Sequence, residues 1–191
     1  MKLKRFSKVM TAMVFGLTTM SLLAQDSMTT KKDPKVGGAA MYANKNIVEN
    51  AVNSKDHTTL VAAVKAAGLV DTLEGPGPFT VFAPTNEAFS ALPAGTVDNL
   101  LKPENKDQLK KILTYHVVAG TMDSKAIRKA IKAGNGKATL TTVEGGTLTA
   151  AMKGGKLVLT DEKGGTSTVT IKDVYQSNGV IHVVNAVLMP N

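Results

Sequence analysis

The sequence predicts an α+β fold in which N-terminal helices pack on a β-sheet laid down as a hairpin meander, and three observations carry that reading. Apolar residues recur at helical spacing through much of the stretch from Asn46 to Ala133. From Lys137 the period changes to two, and Gly145-Gly146, Gly154-Gly155, Gly164-Gly165 and Ser177-Asn178-Gly179 mark turns between strand-like segments. The last run, Val180 to Leu188, is apolar on both faces, which suits a central strand covered on each side. A chain of 191 residues without cysteine can bury one such core, and it must hold that core by packing and hydrogen bonds rather than disulfides.

The elements follow in order. Ile47, Val48, Ala51 and Val52 share one side of a first helix. Asp56 is the expected N-cap of a second, whose stripe Leu60, Val61, Val64 and Ala67 ends at Gly68. Leu69 to Leu73 reads as a short turn, and Glu74-Gly75-Pro76-Gly77-Pro78 as a non-helical lead into the buried strand Phe79-Thr80-Val81-Phe82-Ala83. Pro84 stops that strand, and Thr85 or Asn86 caps a short helix through Phe89; Thr96 to Leu101 gives another. Asn105 with Gln108 makes a capping-box pattern for a helix carrying Leu109, Ile112 and Leu113, and Asp123 caps one carrying Ile127, Ala130 and Ile131.

The N-terminus reads as an export signal. Lys2, Lys4, Arg5 and Lys8 precede an uncharged run from Val9 to Ala24, the layout of a secretory signal peptide. Broken by Thr11, Thr18, Thr19 and Ser21, that run falls short of the about 20 apolar residues a membrane span needs. Residues 1–24 are therefore expected to be cleaved near Gln25, leaving a secreted protein, periplasmic or extracellular, with no stable membrane span. The polar stretch 25–44, with Pro, Gly, Ser, Thr and Lys, has a linker's composition, and 45–190 is the folded domain. The formal net charge of +8 owes half its excess to the leader: 19 basic residues against 15 acidic ones remain, which does not call for nucleic acid.

Catalytic signatures are missing: no G-x-S-x-G, H-E-x-x-H or Walker loop occurs. His57, His116 and His182 share no helical or strand spacing, so the expectation is an exposed helix-start His57, two hydrogen-bonded core-edge histidines, and neither metal nor cofactor. Asp161 and Glu162 fall in a polar turn and form no buried acid pair. Phe79, Phe82 and Phe89 cluster around one buried strand and helix, a core arrangement rather than a base-stacking platform. Lys125, Arg128, Lys129, Lys132 and Lys137 form one basic cluster, either a solvated face or a contact for an acidic polysaccharide or anionic surface.

Three separated pieces carry a resemblance. Phe79-Thr80-Val81-Phe82-Ala83-Pro84-Thr85-Asn86-Glu87-Ala88-Phe89 is similar to the first signature of the fasciclin domain family, Leu113-Thr114-Tyr115-His116-Val117-Val118 to its Tyr-His motif, and Asn178 to Leu188 to its second signature. Asn185 stands where the family more often has Asp. The resemblance implies a fasciclin-like fold and a secreted, single-domain, bacterial-type adhesion or matrix and cell-surface interaction module, monomeric and not an enzyme. It also implies contact residues: Asp173-Val174 and Tyr115-His116 match positions to which integrin contact is attributed in animal matrix relatives, with Val174 in place of Ile. The alternative is a soluble binder of a small ligand or acidic polysaccharide through the basic helix face of Lys125, Arg128, Lys129 and Lys132.

Overall fold

A computed structural model of the chain describes residues 33–191. The proposed leader and residues 25–32 lie outside the described residues. The order is β1 (Lys35–Val36), β2 (Ala39–Ala40), α1 (Ile47–Ala51), α2 (Thr58–Ala67), α3 (Val70–Glu74), β3 (Phe79–Pro84), α4 (Asn86–Ser90), α5 (Thr96–Leu100), α6 (Lys106–Tyr115), β4 (Val117–Ala119), α7 (Ser124–Ala133), β5 (Lys137–Thr141), β6 (Thr147–Lys153), β7 (Lys156–Thr160), β8 (Thr166–Gln176) and β9 (Gly179–Val184). Short 3-10 turns cover Lys55–His57 and Pro103–Asn105.

The meander β5 to β9 runs antiparallel through the expected glycine turns, and β3 and β4 complete a seven-stranded sheet of order β4-β3-β9-β8-β7-β6-β5. β9 lies between β8, which it meets antiparallel, and β3, which it meets parallel with Phe82 opposite His182. All six of its residues are buried, as a strand apolar on both faces requires. The regular strand ends at Val184, short of Leu188. The sheet curls until its two edges touch: Val118 of β4 bridges Thr142 beyond β5, and the Val143 N–H donates to the Val117 carbonyl at 2.7 Å.

Strand alternation divides the interior into two clusters. Val81, Ala83, Ile181 and Val183 face a helical layer that brings in Leu60, Val64, Leu109 and Leu113. Phe82, Val184, Leu148, Leu159 and Val169 face the hollow of the curled sheet, which Ile127 and Ile131 of α7 close.

Several expectations are corrected. Residues 33–44 are not a linker: β1 and β2 form a small hairpin that buries Val36 and Met41 in the helical layer. Leu69 to Leu73 lies largely in the helix α3 rather than a turn. Asn105 makes no capping box; its side-chain amide donates to the Asn99 carbonyl at 2.7 Å, reaching back to α5. Asp56 does not cap α2, because the preceding residues turn as a 3-10 helix. The acceptor arrives from far along the chain: Asn86 Oδ1 takes the Thr59 N–H at 3.0 Å while its amide donates to the Lys55 carbonyl at 2.8 Å. The asparagine of the first signature thus supplies a cap that the local sequence does not. His57, expected to be exposed, is buried with Nδ1 against Ser54 Oγ at 2.9 Å.

Candidate functional site

Tyr115 and His116 end α6, where a helix leaves carbonyls without internal partners. Tyr115 is fully buried; its hydroxyl donates to the Thr147 carbonyl at 2.7 Å and accepts the Glu162 N–H at 3.3 Å, tying α6 to β6 and the β7–β8 turn. Desolvation pushes that hydroxyl up to about 12. His116 Nδ1 lies 2.9 Å from the Ile112 carbonyl, and Nε2 accepts the Leu188 N–H at 3.0 Å. Only the neutral ring protonated at Nδ1 satisfies both partners, and burial lowers its pKa accordingly.

Asp173 sits at an irregularity in the β8–β9 register, with φ of 60°, a conformation that Asp tolerates better than most side chains. That geometry brings its carboxylate to the start of α7, where Oδ1 accepts the Ser124 N–H and Oδ2 the Ser124 hydroxyl, both at 2.6 Å. Asp123 caps the same helix as expected: Oδ1 accepts the Ala126 N–H at 2.8 Å and Oδ2 the Tyr175 hydroxyl at 3.1 Å. The Ala126 bond, then Tyr175 and Lys125, hold its carboxyl below the usual range against slight desolvation. Beneath the irregularity, His182 accepts the Asp173 N–H at Nδ1 (3.3 Å), places Nε2 2.9 Å from the Met122 carbonyl and stacks on Phe82. Desolvation lowers its pKa, and both it and His116 belong to the core rather than its edge.

These placements correct the contact assignment. Tyr115, His116 and Val174 are buried, at 0%, 2% and 0% exposure, so the folded domain does not offer them to a partner. Asp173 is half-buried, with both oxygens engaged on Ser124. Asp161 is likewise buried, its Oδ1 accepting the Gly165 and Lys163 N–H groups and its Oδ2 that of Met189.

The basic helix is placed differently. Ser124, Ile127 and Ile131 form the buried side of α7, so Lys125, Arg128, Lys129 and Lys132, spaced i, i+3, i+4 and i+7, stand exposed on the other. Among the described residues the one ion pair is Lys111 with Glu144, 3.7 Å apart; none of the α7 cations joins it, and of the four Lys125 acts on the nearby Asp123 carboxylate. A groove of about 310 Å³ runs beside α7, lined by Ser124 and Arg128 from the helix and by Lys156, Thr168, Thr170 and Lys172 from β7 and β8. Lys156 and Lys172 are missing from the sequence-level basic cluster because they come from other elements. Alternation along β8, with Ser167 and Val169 buried and Thr170 and Lys172 exposed, marks Lys172 as solvent-facing but does not by itself bring it beside Lys156 or α7.

Residues 55–190 match the model of the fasciclin domain. The chain belongs to the fasciclin domain family. It is 45% identical over 181 residues to Protein sll1483 of Synechocystis sp., spanning 95% of this chain and 92% of that one. Cell surface glycolipoprotein MPB83 of Mycobacterium bovis is 34% identical over 159 residues, spanning 81% of this chain and 64% of the other. The FAS1 domain pair of the insect cell adhesion molecule Fasciclin I superposes with a TM-score of 0.66 at 19% identity, covering 76% of this chain and 51% of that structure. Fasciclin domains thus occur in adhesion and cell-surface proteins and are generally non-enzymatic. No helix among the described residues is long and apolar enough to cross a membrane.

Proposed function

We propose that this fasciclin chain is a secreted, non-enzymatic surface-interaction module that works as a monomer and adheres to an acidic polysaccharide through the cationic face of α7. The observation that carries the reading is a contrast in exposure. Four exposed cations, none in an ion pair among the described residues, stand on one side of a ten-residue helix, while Tyr115, His116 and Val174 are interior. A protein partner using those three side chains would have to unfold part of the core, whereas a polyanion needs no rearrangement. The basic start and short apolar run of residues 1–24 support export to the compartment where such polymers lie.

Exposed ion pairs contribute about 0.2–1 kcal/mol each, so four give about 1–4 kcal/mol, between roughly fivefold and roughly a thousandfold in affinity. Such contacts are screened over about 10 Å at 0.1 M salt. The mature domain should therefore be retained on an immobilised acidic polysaccharide, be released as salt rises, and pass through a neutral one. Arg128→Glu/Lys129→Glu should abolish retention with the melting temperature kept. Retention of that variant equal to the parent's across the salt range would overturn the reading.

A further inference from the structure

We infer that the cavity between the helical layer and the sheet is a binding site for a small neutral apolar molecule that presents one hydrogen-bond acceptor, a short-chain ketone by size and polarity. The cavity measures about 70 Å³ and is walled by Ile47 of α1, Leu60 and Val64 of α2, Val81 of β3, Leu113 of α6 and Ile181 of β9. No residue of α7 lines it, so the inference stands apart from the polyanion reading.

His57 lines this cavity and is 3% exposed. Its Nε2 is the one buried side-chain polar atom without a hydrogen-bond partner among the described residues. The other polar side chains of the wall are engaged or solvated: His116 holds Ile112 and Leu188, the Thr114 hydroxyl donates to the Lys110 carbonyl at 2.8 Å, and Lys65 and Thr72 are exposed. Ser54, also buried, places its Oγ 2.9 Å from His57 Nδ1. Were Nδ1 to donate there, the Ser54 hydroxyl hydrogen and the Nε2 lone pair would both lack partners. With the hydroxyl donating to Nδ1, only the Nε2–H is left over, the arrangement with the fewer buried orphans. The Ala83 carbonyl favours a proton on the ring but makes no hydrogen bond with Nε2. The cavity thus holds one free donor in apolar surroundings.

That donor decides the chemistry of the occupant. Desolvation holds the His57 ring below its ordinary pKa, so the donor is uncharged, and the one lysine of the wall, Lys65, is exposed. An anionic head would lose its hydration there without a buried counter-charge. A hydrocarbon would leave the donor orphaned. Water could accept the N–H, but a buried water needs two to four polar partners, and the wall offers one. A ketone oxygen accepts that one bond and leaves only carbon against the Val, Leu and Ile side chains. The volume is several times the about 10–15 Å³ that a single water needs and about half of the about 150 Å³ that takes benzene. The ligand is therefore smaller than benzene, of the size of 2-butanone.

The exported chain is titrated at pH 7 with 2-butanone and with 2-methyl-1-butene, which has the same shape and no acceptor, while methyl and imidazole signals are followed by NMR. Saturable shifts should appear at the Leu60, Val64 and Ile181 methyls and not at Leu148 or Leu159, which belong to the other cluster. The His57 Nε2–H signal should move downfield with the ketone alone, and the ketone should bind about tenfold more tightly than the alkene. His57→Phe, which keeps a ring and removes the donor, should bind the two probes equally. The imidazole signals of the parent need no variant, so a His57→Phe chain that fails to fold leaves the test intact. Absence of saturable shifts, equal affinity of the parent for both probes, or a His57 ring without a proton on Nε2 would each overturn the inference. None of these outcomes bears on the polyanion reading, which the salt-dependent retention decides.

Discussion

Replacing His116 tests whether the Tyr-His motif is a folding device. In His116→Ala the buried Leu188 N–H loses its acceptor and the Ile112 carbonyl its donor. An orphaned buried group costs about 1–3 kcal/mol, less for a carbonyl than for an N–H. Deleting about 60 Å³ of imidazole adds about 1.5 kcal/mol at about 24 cal/mol per Å³ of cavity. The sum is about 3.5–5.5 kcal/mol, a large part of the about 5–15 kcal/mol by which domains are stable, and the variant can fail to fold. His116→Phe fills the space and removes only the two hydrogen bonds, at about 2–4 kcal/mol. With a urea slope of about 1.5 kcal/mol/M, its unfolding midpoint should fall by about 1.3–2.7 M. His116→Gln, whose side-chain oxygen can still reach Leu188, should recover part of that loss. A His116→Phe midpoint equal to the parent's would refute the reasoning, since the two buried bonds would then contribute nothing.

The three histidines predict an acid-sensitive domain. Desolvation leads the shifts that place His57, His116 and His182 below 6.5 in the folded state, so the unfolded chain takes up protons that the folded one refuses. Stability should therefore fall as pH drops below about 6.5, by up to about 1.4 kcal/mol per pH unit for each group. Denaturant midpoints at pH 7, 6 and 5 check this, and a flat profile would contradict it. Asp173→Ala should loosen the start of α7, cost about 1–3 kcal/mol and speed amide exchange in its first turn, because Ser124 loses both bonds; protection unchanged from the parent's would count against the assignment. Tyr115→Phe should cost about 1 kcal/mol through loss of the Thr147 and Glu162 bonds, with retention on the acidic polysaccharide unmoved; a specific loss of binding would return Tyr115 to the contact surface.

Periodicity made the strands and most helices legible, because a buried face imposes its period on the residues that line it. The local caps Thr85 and Asp123 were legible for a related reason, since acceptor and donor lie three residues apart. The misread places depend on distant chain. Nothing near α2 says that Asn86 will cap it, and a Gly-rich stretch gives no hint that Val36 and Met41 find a hydrophobic partner. Of the candidate site, the α7 stripe could be read because one helix carries it. Lys156 and Lys172 could not, because the turn at Gly164-Gly165 must first set the pairing of Val158 with Thr168. Asn185 shows a departure from the family pattern that leaves the bond intact: its Oδ1 accepts the Thr168 N–H at 2.8 Å, as a carboxylate would.

β9 is the last strand in the chain and occupies an inner place in the sheet, between β3 and β8. A polypeptide cut short before Gly179 would hold the β3–β4 pair and the β5–β8 meander joined through the sheet only by the Val118–Thr142 bridge and the adjacent Val143–Val117 hydrogen bond. Their apolar surfaces would face water with nothing to insert between them. The closed sheet therefore depends on one strand: without Gly179–Val184, β3 and β8 each present an unpaired inner edge, the kind of exposed edge from which aggregation begins.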